Sequence, residues 1–268
     1  MTAITQSSGV VVEIGGLPIR LRCDSADFLW QIRERYAGYV GSRDYARFDF
    51  EIELAPPDAV SSDEDVRVAC QAGRWLMQRG DFRAEWNPST ARGRIQQTIS
   101  PYSLDSVLRI VHTLLLARQG GFLLHASSAI RNGRAFLFSG VSGAGKTTLA
   151  RLAPPDVALL TDEISYVIRR EGSYLAVGTP FYGELAQPGE NREAPIEGVF
   201  LLAKGPKNAI EPISGTDAVR GLMSNILFFA RDPQFVQAVF DSALDFVSRV
   251  PVRRLTFAPD RSVWELIV

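Results

Sequence analysis

The fold of this chain is decided by one glycine-rich stretch, Phe138-Ser139-Gly140-Val141-Ser142-Gly143-Ala144-Gly145-Lys146-Thr147-Thr148. It has the spacing of a phosphate-binding loop, with glycines, a lysine and a hydroxyl residue where that motif requires them: Gly140, Gly145, Lys146 and Thr147. Glycines let the backbone turn tightly and bring its N–H groups against phosphate oxygens. A helix that begins near Lys146 adds N–H donors and a partial positive charge. The stretch therefore predicts a polyphosphate site.

The polar residues of this loop have predicted roles. Lys146 can reach the β and γ phosphates as a point charge, and Thr147 offers a hydroxyl to Mg²⁺, which prefers oxygen ligands. The residues expected to bind the nucleotide are Gly140, Ser142, Gly143, Ala144, Gly145, Lys146, Thr147 and Thr148. An apolar strand at residues 135–138 and a helical segment at 148–152 supply the context that the motif needs. The alternative is a glycine-rich turn that only caps a helix.

A pair of acids follows the loop. The apolar run at residues 157–161 predicts a short strand that ends in Asp162 and Glu163. Carboxylates at such a strand end can hold Mg²⁺ or its water and can polarise a nucleophile. We predict that Asp162 orients or deprotonates an acceptor hydroxyl, and that Thr147, Asp162 and Glu163 serve the metal. An acidic corner without chemistry is the alternative.

His125 is the third candidate for chemistry. It lies on a predicted strand at residues 121–130, and Asn132-Gly133 predicts a two-residue hairpin turn into the loop-bearing strand, Arg134–Ser139. A hairpin partner of that strand lies close to the phosphates, where a His with a pKa of about 6.5 can exchange protons. The alternative is a histidine with a purely structural role in the sheet. His112, on a predicted helix with leucine neighbours, is assigned no chemistry.

The rest of the chain predicts three regions. Residues 1–100 indicate a smaller mixed α/β module, residues 101–120 a connecting helix, and residues 121–268 a nucleotide-binding domain. Strands and helices are predicted to alternate after the loop, with a last strand at residues 263–268. The strand Phe48–Leu54 alternates apolar and acidic residues, so we expect it to be half buried.

Composition excludes several classes of protein. The 268 residues contain 29 Lys and Arg against 30 Asp and Glu, which argues against a generally basic nucleic-acid binder. Cys23 and Cys70 lack the spacing of a disulfide framework or zinc site, and we predict two buried free thiols, with a single disulfide as the alternative. The N-terminus lacks the basic start and apolar core of a signal peptide, and no apolar run reaches the roughly 18 residues that span a bilayer. We expect a cytoplasmic protein with no membrane or nucleic-acid partner.

These features together resemble the HPr kinase/phosphorylase family, within the phosphoenolpyruvate carboxykinase-like group of phosphate-loop proteins. His125, the loop from Gly140 to Thr148, and Asp162-Glu163 reproduce that family's order and approximate spacing over roughly residues 120–205. The resemblance implies an HPr-kinase-like α/β domain, ATP and Mg²⁺ as cofactors, and protein-serine kinase activity. It also implies that copies of the chain assemble.

Two positions depart from that family's pattern. Glu163 stands where HPr kinases usually have a second Asp, and Glu197 stands where they have an Arg before a Gly. We therefore expect the acceptor to be a Ser hydroxyl of another peptide or protein, and the sequence leaves open whether a reverse phosphorylase reaction exists. Arg192, in the loop before Glu197, is a candidate contact for the acceptor or a phosphate. Two other functions stay open: a nucleotide-binding regulatory module without transfer, and a small-molecule kinase.

Overall fold

The chain folds as a mixed α/β structure with two sheets, which confirms the predicted α/β class. The computed structural model describes residues 9–41, 45–55 and 65–268. The residues form two compact units, one of Met1–Val111 with Phe229–Asp232, the other of His112–Phe228 with Pro233–Val268. The division falls inside the helix α2 (Pro101–Ala117), in the region predicted to connect two domains. The first eight residues, used above to argue against a signal peptide, lie outside the described part.

The first unit is built on a seven-stranded sheet with the order β1-β2-β3-β7-β6-β5-β4. Its strands are β1 (Gly9–Ile14), β2 (Leu17–Cys23), β3 (Phe48–Leu54), β4 (Arg67–Gln71), β5 (Arg74–Arg79), β6 (Phe82–Asn87) and β7 (Arg92–Gln97). Helix α1 (Ala26–Arg35) begins after Ser25, whose hydroxyl accepts a hydrogen bond from the N–H of Phe28 at 3.2 Å. This cap satisfies one of the donors that every helix start leaves open.

The alternation of β3 has the predicted result. Phe48, Phe50 and Ile52 are buried, while Glu51 and Glu53 are exposed, because successive side chains of a strand point to opposite faces. The prediction of two buried thiols was half wrong. Cys23 is buried and Cys70 is exposed, since Cys70 lies on the edge strand β4, which the sequence pattern did not reveal.

The second unit contains an eight-stranded sheet with the order β10-β8-β11-β12-β13-β15-β14, in which β9 pairs with β8 and β13. The strands are β8 (Phe122–Arg131), β9 (Arg134–Ser139), β10 (Ala158–Thr161), β11 (Ile164–Arg170), β12 (Ser173–Val177), β13 (Glu193–Lys204), β14 (Ala209–Pro212) and β15 (Val252–Phe257). The helices are α3 (Lys146–Arg151), α4 (Gly215–Met223) and α5 (Pro233–Arg249). Among the described residues, no helix has both the length and the apolar character needed to cross a membrane.

The predicted hairpin before the phosphate loop is confirmed. Strands β8 and β9 pair antiparallel, and the turn residues Asn132 and Gly133 have φ values of 52° and 75°. Positive φ at both central residues is what a tight hairpin turn with the twist of the strands requires. Strand β9 also pairs in parallel with β13, so it lies inside the sheet and its last residue, Ser139, leads directly into the loop.

Two predictions about the second half were wrong. Strands and helices do not alternate after the loop, because β10 to β13 follow one another without a helix. Residues 263–268 do not form a strand either. Arg261–Leu266 is a 3-10 helix that begins after Asp260, which accepts a hydrogen bond from the N–H of Ser262. Trp264 of this helix is buried and donates its Nε1–H to the carbonyl of Leu149 at 3.1 Å, so the apolar residues face the core from a helical turn.

Candidate functional site

A cleft of about 320 Å³ opens at the carboxyl end of β9. It brings together most of the residues that the sequence selected and two that it did not. The lining residues are His125, Ser142, Gly143, Gly145, Lys146, Thr147, Thr148, Asp162, Glu163, Gly183 and Glu184. The predicted nucleotide residues Gly140 and Ala144 do not line this surface and pack against each other within the loop. The loop, the histidine and the acid pair therefore line one cleft.

The glycines of the loop are required by the local geometry. Gly143 and Gly145 have φ values of 76° and 107°, in the region that favours glycine. A Cβ atom on Gly145 would lie 2.6 Å from Cζ of Phe257, and one on Gly140 would lie 2.8 Å from Cβ of Ala144. The loop is thus held against the aromatic ring of Phe257 on β15 and folded tightly on itself, with its backbone close to the cleft.

Lys146 is buried within the loop and turned back onto it. Its Nζ donates to the carbonyl of Gly140 at 2.8 Å and to that of Val141 at 3.3 Å. Burial lowers the pKa of Lys146, and the negative charges of Glu163 and Glu184 act in the opposite direction. The ammonium group of Lys146 is therefore held at the loop by two of the loop's own carbonyl oxygens.

Asp162 is buried, and each of its carboxylate oxygens accepts a backbone hydrogen bond. Oδ1 accepts from the N–H of Gly183 and Oδ2 from the N–H of Leu185, both at 2.9 Å. Glu163, which is half buried, follows directly and lines the cleft. The two acids therefore differ: the carboxylate of Asp162 holds a neighbouring loop, whereas the negative charge of Glu163 acts on Lys146.

The loop held by Asp162 belongs to a longer segment, residues 178–190, here called the strap. The strap lies along β10, where the N–H of Thr179 and the N–H of Glu190 donate to the carbonyls of Leu160 and Leu159 at 3.2 and 3.0 Å. The strap approaches β10 so closely that a Cβ on Gly189 would lie 1.6 Å from the carbonyl oxygen of Leu160. These contacts bring Gly183 and Glu184 into the cleft.

His125 lies in the middle of β8, half buried, with its side chain on the cleft. Its N–H donates to the carbonyl of Asn225 at 2.7 Å, and its carbonyl accepts from Oγ of Ser139 at 3.0 Å. The backbone of His125 is therefore tied both to the loop-bearing strand and to the segment after α4. This fixes the place from which the imidazole enters the cleft.

The described residues do not enclose a metal ion by themselves. Within residues 9–41, 45–55 and 65–268, no three His, Cys, Asp or Glu side chains are grouped to hold one. Mg²⁺ needs no such cage, since it keeps several waters and is bound through one or two carboxylates together with substrate phosphates. The hydroxyl of Thr147 and the carboxylate of Glu163 line the same cleft, so the residues present fit a magnesium ion shared with a nucleotide.

Two residues considered in the sequence analysis lie outside the cleft. Arg192 does not line the cleft, and its exposed guanidinium donates to Oε2 of Glu190 at 3.1 Å. His112, which was assigned no chemistry, is fully buried with Nδ1 3.0 Å from the hydroxyl of Tyr166. Burial lowers the pKa of His112 to about 3, so the ring is neutral in the folded protein.

Gly183 and Glu184 were not among the predicted site residues. A Gly-Glu pair after the aromatic residues Phe181 and Tyr182 was visible, but nothing in the pattern indicated that this stretch returns to β10. The return depends on backbone hydrogen bonds to β10 and on the carboxylate of Asp162, and the sequence does not show which backbone N–H groups that carboxylate binds.

A comparison with known protein families found one matching family model. Residues 92–267, about two thirds of the chain, match a family model described as SynChlorMet cassette protein ScmC. Among solved structures, the chain is similar to the Hpr(Ser) kinase/phosphatase from Coxiella burnetii, with 12% sequence identity and a TM-score of 0.24 over 47% of this chain and 90% of that chain. No curated protein matches the chain. Because that TM-score is low, any functional proposal depends on the residues of the cleft.

Proposed function

We propose that this chain, which belongs to the SynChlorMet cassette protein ScmC family, is a Mg-ATP-dependent kinase that transfers a phosphoryl group to a Ser hydroxyl of a peptide or protein. One observation carries the proposal: the phosphate loop, His125 and the carboxylates at the end of β10 line a single cleft. ATP and a peptide acceptor follow from the resemblance of these residues to HPr kinases. Cytoplasmic location and assembly with further copies stay predictions from the sequence.

The residues of the cleft divide the work of phosphoryl transfer among them. The loop amides and Lys146 bind the β and γ phosphates in line with the acceptor, which is the main task in this chemistry. The hydroxyl of Thr147 and the carboxylate of Glu163 would hold Mg²⁺, which neutralises phosphate charge when bound. His125 lies where it can donate to a phosphoryl oxygen.

The structure gives a reason to change the role proposed for Asp162 as the base that acts on the acceptor hydroxyl. Asp162 was predicted to orient or deprotonate the acceptor, yet both of its oxygens accept N–H groups of the strap. We therefore assign Asp162 to positioning and keep Glu163 with the metal, where its negative charge also acts on the loop lysine. A base must lie within hydrogen-bond reach of the proton that it removes, and Asp162, with both oxygens occupied by the strap, does not meet that need.

Labelled ATP tests the proposal directly. Wild-type protein is incubated with Mg²⁺, γ-labelled ATP and a peptide pool or cell lysate, and the labelled species is identified by mass spectrometry. Lys146→Ala should lower transfer by about 10²- to 10³-fold, the cost of removing one preorganised donor. Arg151→Ala, an exposed cation on the same helix, is the matched control and should keep wild-type transfer. Equal rates in both variants would contradict the assignment of Lys146.

A regulatory module that binds nucleotide without transfer is the second candidate. The engagement of both Asp162 oxygens favours it, because a carboxylate used for structure is withdrawn from chemistry. The two functions differ in one measurement. Wild-type protein that binds Mg-ATP but labels no peptide, protein or metabolite would establish the module and exclude the kinase.

A further inference from the structure

We infer that Glu184 is a second carboxylate of the nucleotide site, held there by Asp162 as a positioning residue, and that it makes the site accept a nucleotide only as its magnesium complex. The inference rests on the proposed function and names a specificity of that same site. It gives a role to one of the two residues of the cleft that the sequence did not select.

The first argument is the clamp around Glu184. Asp162 accepts hydrogen bonds from Gly183 and Leu185, the residues on either side of Glu184, each at 2.9 Å. Two hydrogen bonds to one buried carboxylate are charge-assisted and fix the backbone between the two donors. The backbone position of Glu184 is therefore fixed by the fold, while its side chain is exposed.

The second argument is where the fixed residue lies. Glu184 lines the same cleft as Lys146, and its negative charge is one of the two that raise the pKa of that lysine, after Glu163. A carboxylate that acts on the ammonium group of Lys146 also acts on the phosphates that this group binds. Glu163 from β10 and Glu184 from the strap thus approach the phosphate position from two different segments.

The third argument is the balance of charge. Among the described residues that line the cleft, the carboxylates of Asp162, Glu163 and Glu184 stand against one permanent cation, Lys146. A bare nucleotide triphosphate carries several negative charges of its own and would be repelled by the two glutamates. A divalent cation between the carboxylates and the phosphates reverses the sign of that interaction. The cleft therefore selects the metal complex against the free nucleotide.

The test compares nucleotide affinity with and without metal. The probe is a non-hydrolysable ATP analogue, titrated by calorimetry in excess Mg²⁺ and again in excess chelator. In Glu184→Gln the metal-free analogue should bind about tenfold more tightly and the magnesium complex about tenfold more weakly, since one nearby charge is removed. Glu184 is exposed, so this variant folds. Glu190→Gln is the matched control on the same strap, more than half exposed and paired with Arg192, and should match wild type in both titrations.

A second variant tests the role of Asp162. An Asn side chain at position 162 can accept from only one of the two N–H groups, so hydrogen exchange at residues 183–185 should accelerate in Asp162→Asn and stay unchanged in Glu184→Gln. Asp162→Asn should also lower the preference for the magnesium complex. That effect should be smaller when Glu184 is already replaced by Gln, because Asp162→Asn then removes only its own charge and has no second carboxylate to misplace.

The outcomes separate the inference from the function on which it rests. If wild type binds the magnesium complex and Glu184→Gln behaves like Glu190→Gln, the inference is overturned while the nucleotide site stands. If wild type binds neither form, the proposed function fails and the inference with it. If Glu184→Gln shifts the two affinities in opposite directions, Glu184 belongs to the site.

Discussion

The contact between the phosphate loop and the ring of Phe257 can be measured with two glycine variants. Gly143 and Gly145 both have positive φ values, but a Cβ on Gly143 meets nothing within 4 Å, whereas one on Gly145 would lie 2.6 Å from Cζ of Phe257. Gly143→Ala therefore carries only the backbone cost, about 1–2 kcal/mol. Gly145→Ala adds the cost of displacing a buried ring, about 1–3 kcal/mol, and should lose about 2–5 kcal/mol in all.

A double-mutant cycle isolates the ring contact. Unfolding in urea at 25 °C, followed by circular dichroism, gives the free energy of unfolding of wild type, Gly145→Ala, Phe257→Leu and the double variant. Because Leu lacks the outer ring atoms, Gly145→Ala should cost no more in the Phe257→Leu background than Gly143→Ala costs in wild type. If Gly145→Ala costs the same in the wild-type and Phe257→Leu backgrounds, the ring does not restrict the loop and the reasoning fails.

Three further predictions use other parts of the second unit. The pKa of His112 is lowered to about 3 against about 6.5 in an unfolded chain, so the unfolded state binds one more proton between those pH values and the free energy of unfolding falls as the pH drops through that window. His112→Asn, which can still meet the hydroxyl of Tyr166, should remove this part of the pH dependence in urea titrations, and an unchanged slope would refute it. Gly189→Ala should detach the strap, since its Cβ would overlap the carbonyl of Leu160, and is checked by faster hydrogen exchange along residues 178–190. Arg192→Ala should leave nucleotide affinity unchanged and raise the KM for the acceptor; an unchanged KM would remove Arg192 from the acceptor site.

Local patterns were enough to predict the centre of the fold. Three patterns each involve only a few neighbouring residues: the turn Asn132-Gly133, the apolar strands on either side of it, and the spacing of Gly140 to Thr147. The structure has the hairpin and the loop where they were predicted. The same holds for the alternation of Phe48–Leu54. Backbone preferences and side-chain period are properties of neighbouring residues, so they can be read before any tertiary contact forms.

The wrong predictions concern local patterns that fit two different structures. The apolar residues at the C-terminus fit a strand, yet Trp264 reaches Leu149 from a 3-10 helix, because burying its ring and pairing its N–H decide the conformation. The exposure of Cys70 depends on β4 being at the edge of the sheet. Both results follow from which elements are neighbours, and residue type alone does not state that.

The sequence by itself determined that a loop with the spacing of a phosphate-binding motif, a histidine and an acid pair occur together in this chain, because each is visible in a few neighbouring residues. Only the tertiary structure decided what the acid pair does. It turned Asp162 toward the N–H groups of Gly183 and Leu185 and brought Glu184 into the cleft beside Glu163. The physical reason is that a buried carboxylate must find hydrogen-bond donors. Those donors come from the strap, which follows β11 and β12 in the chain.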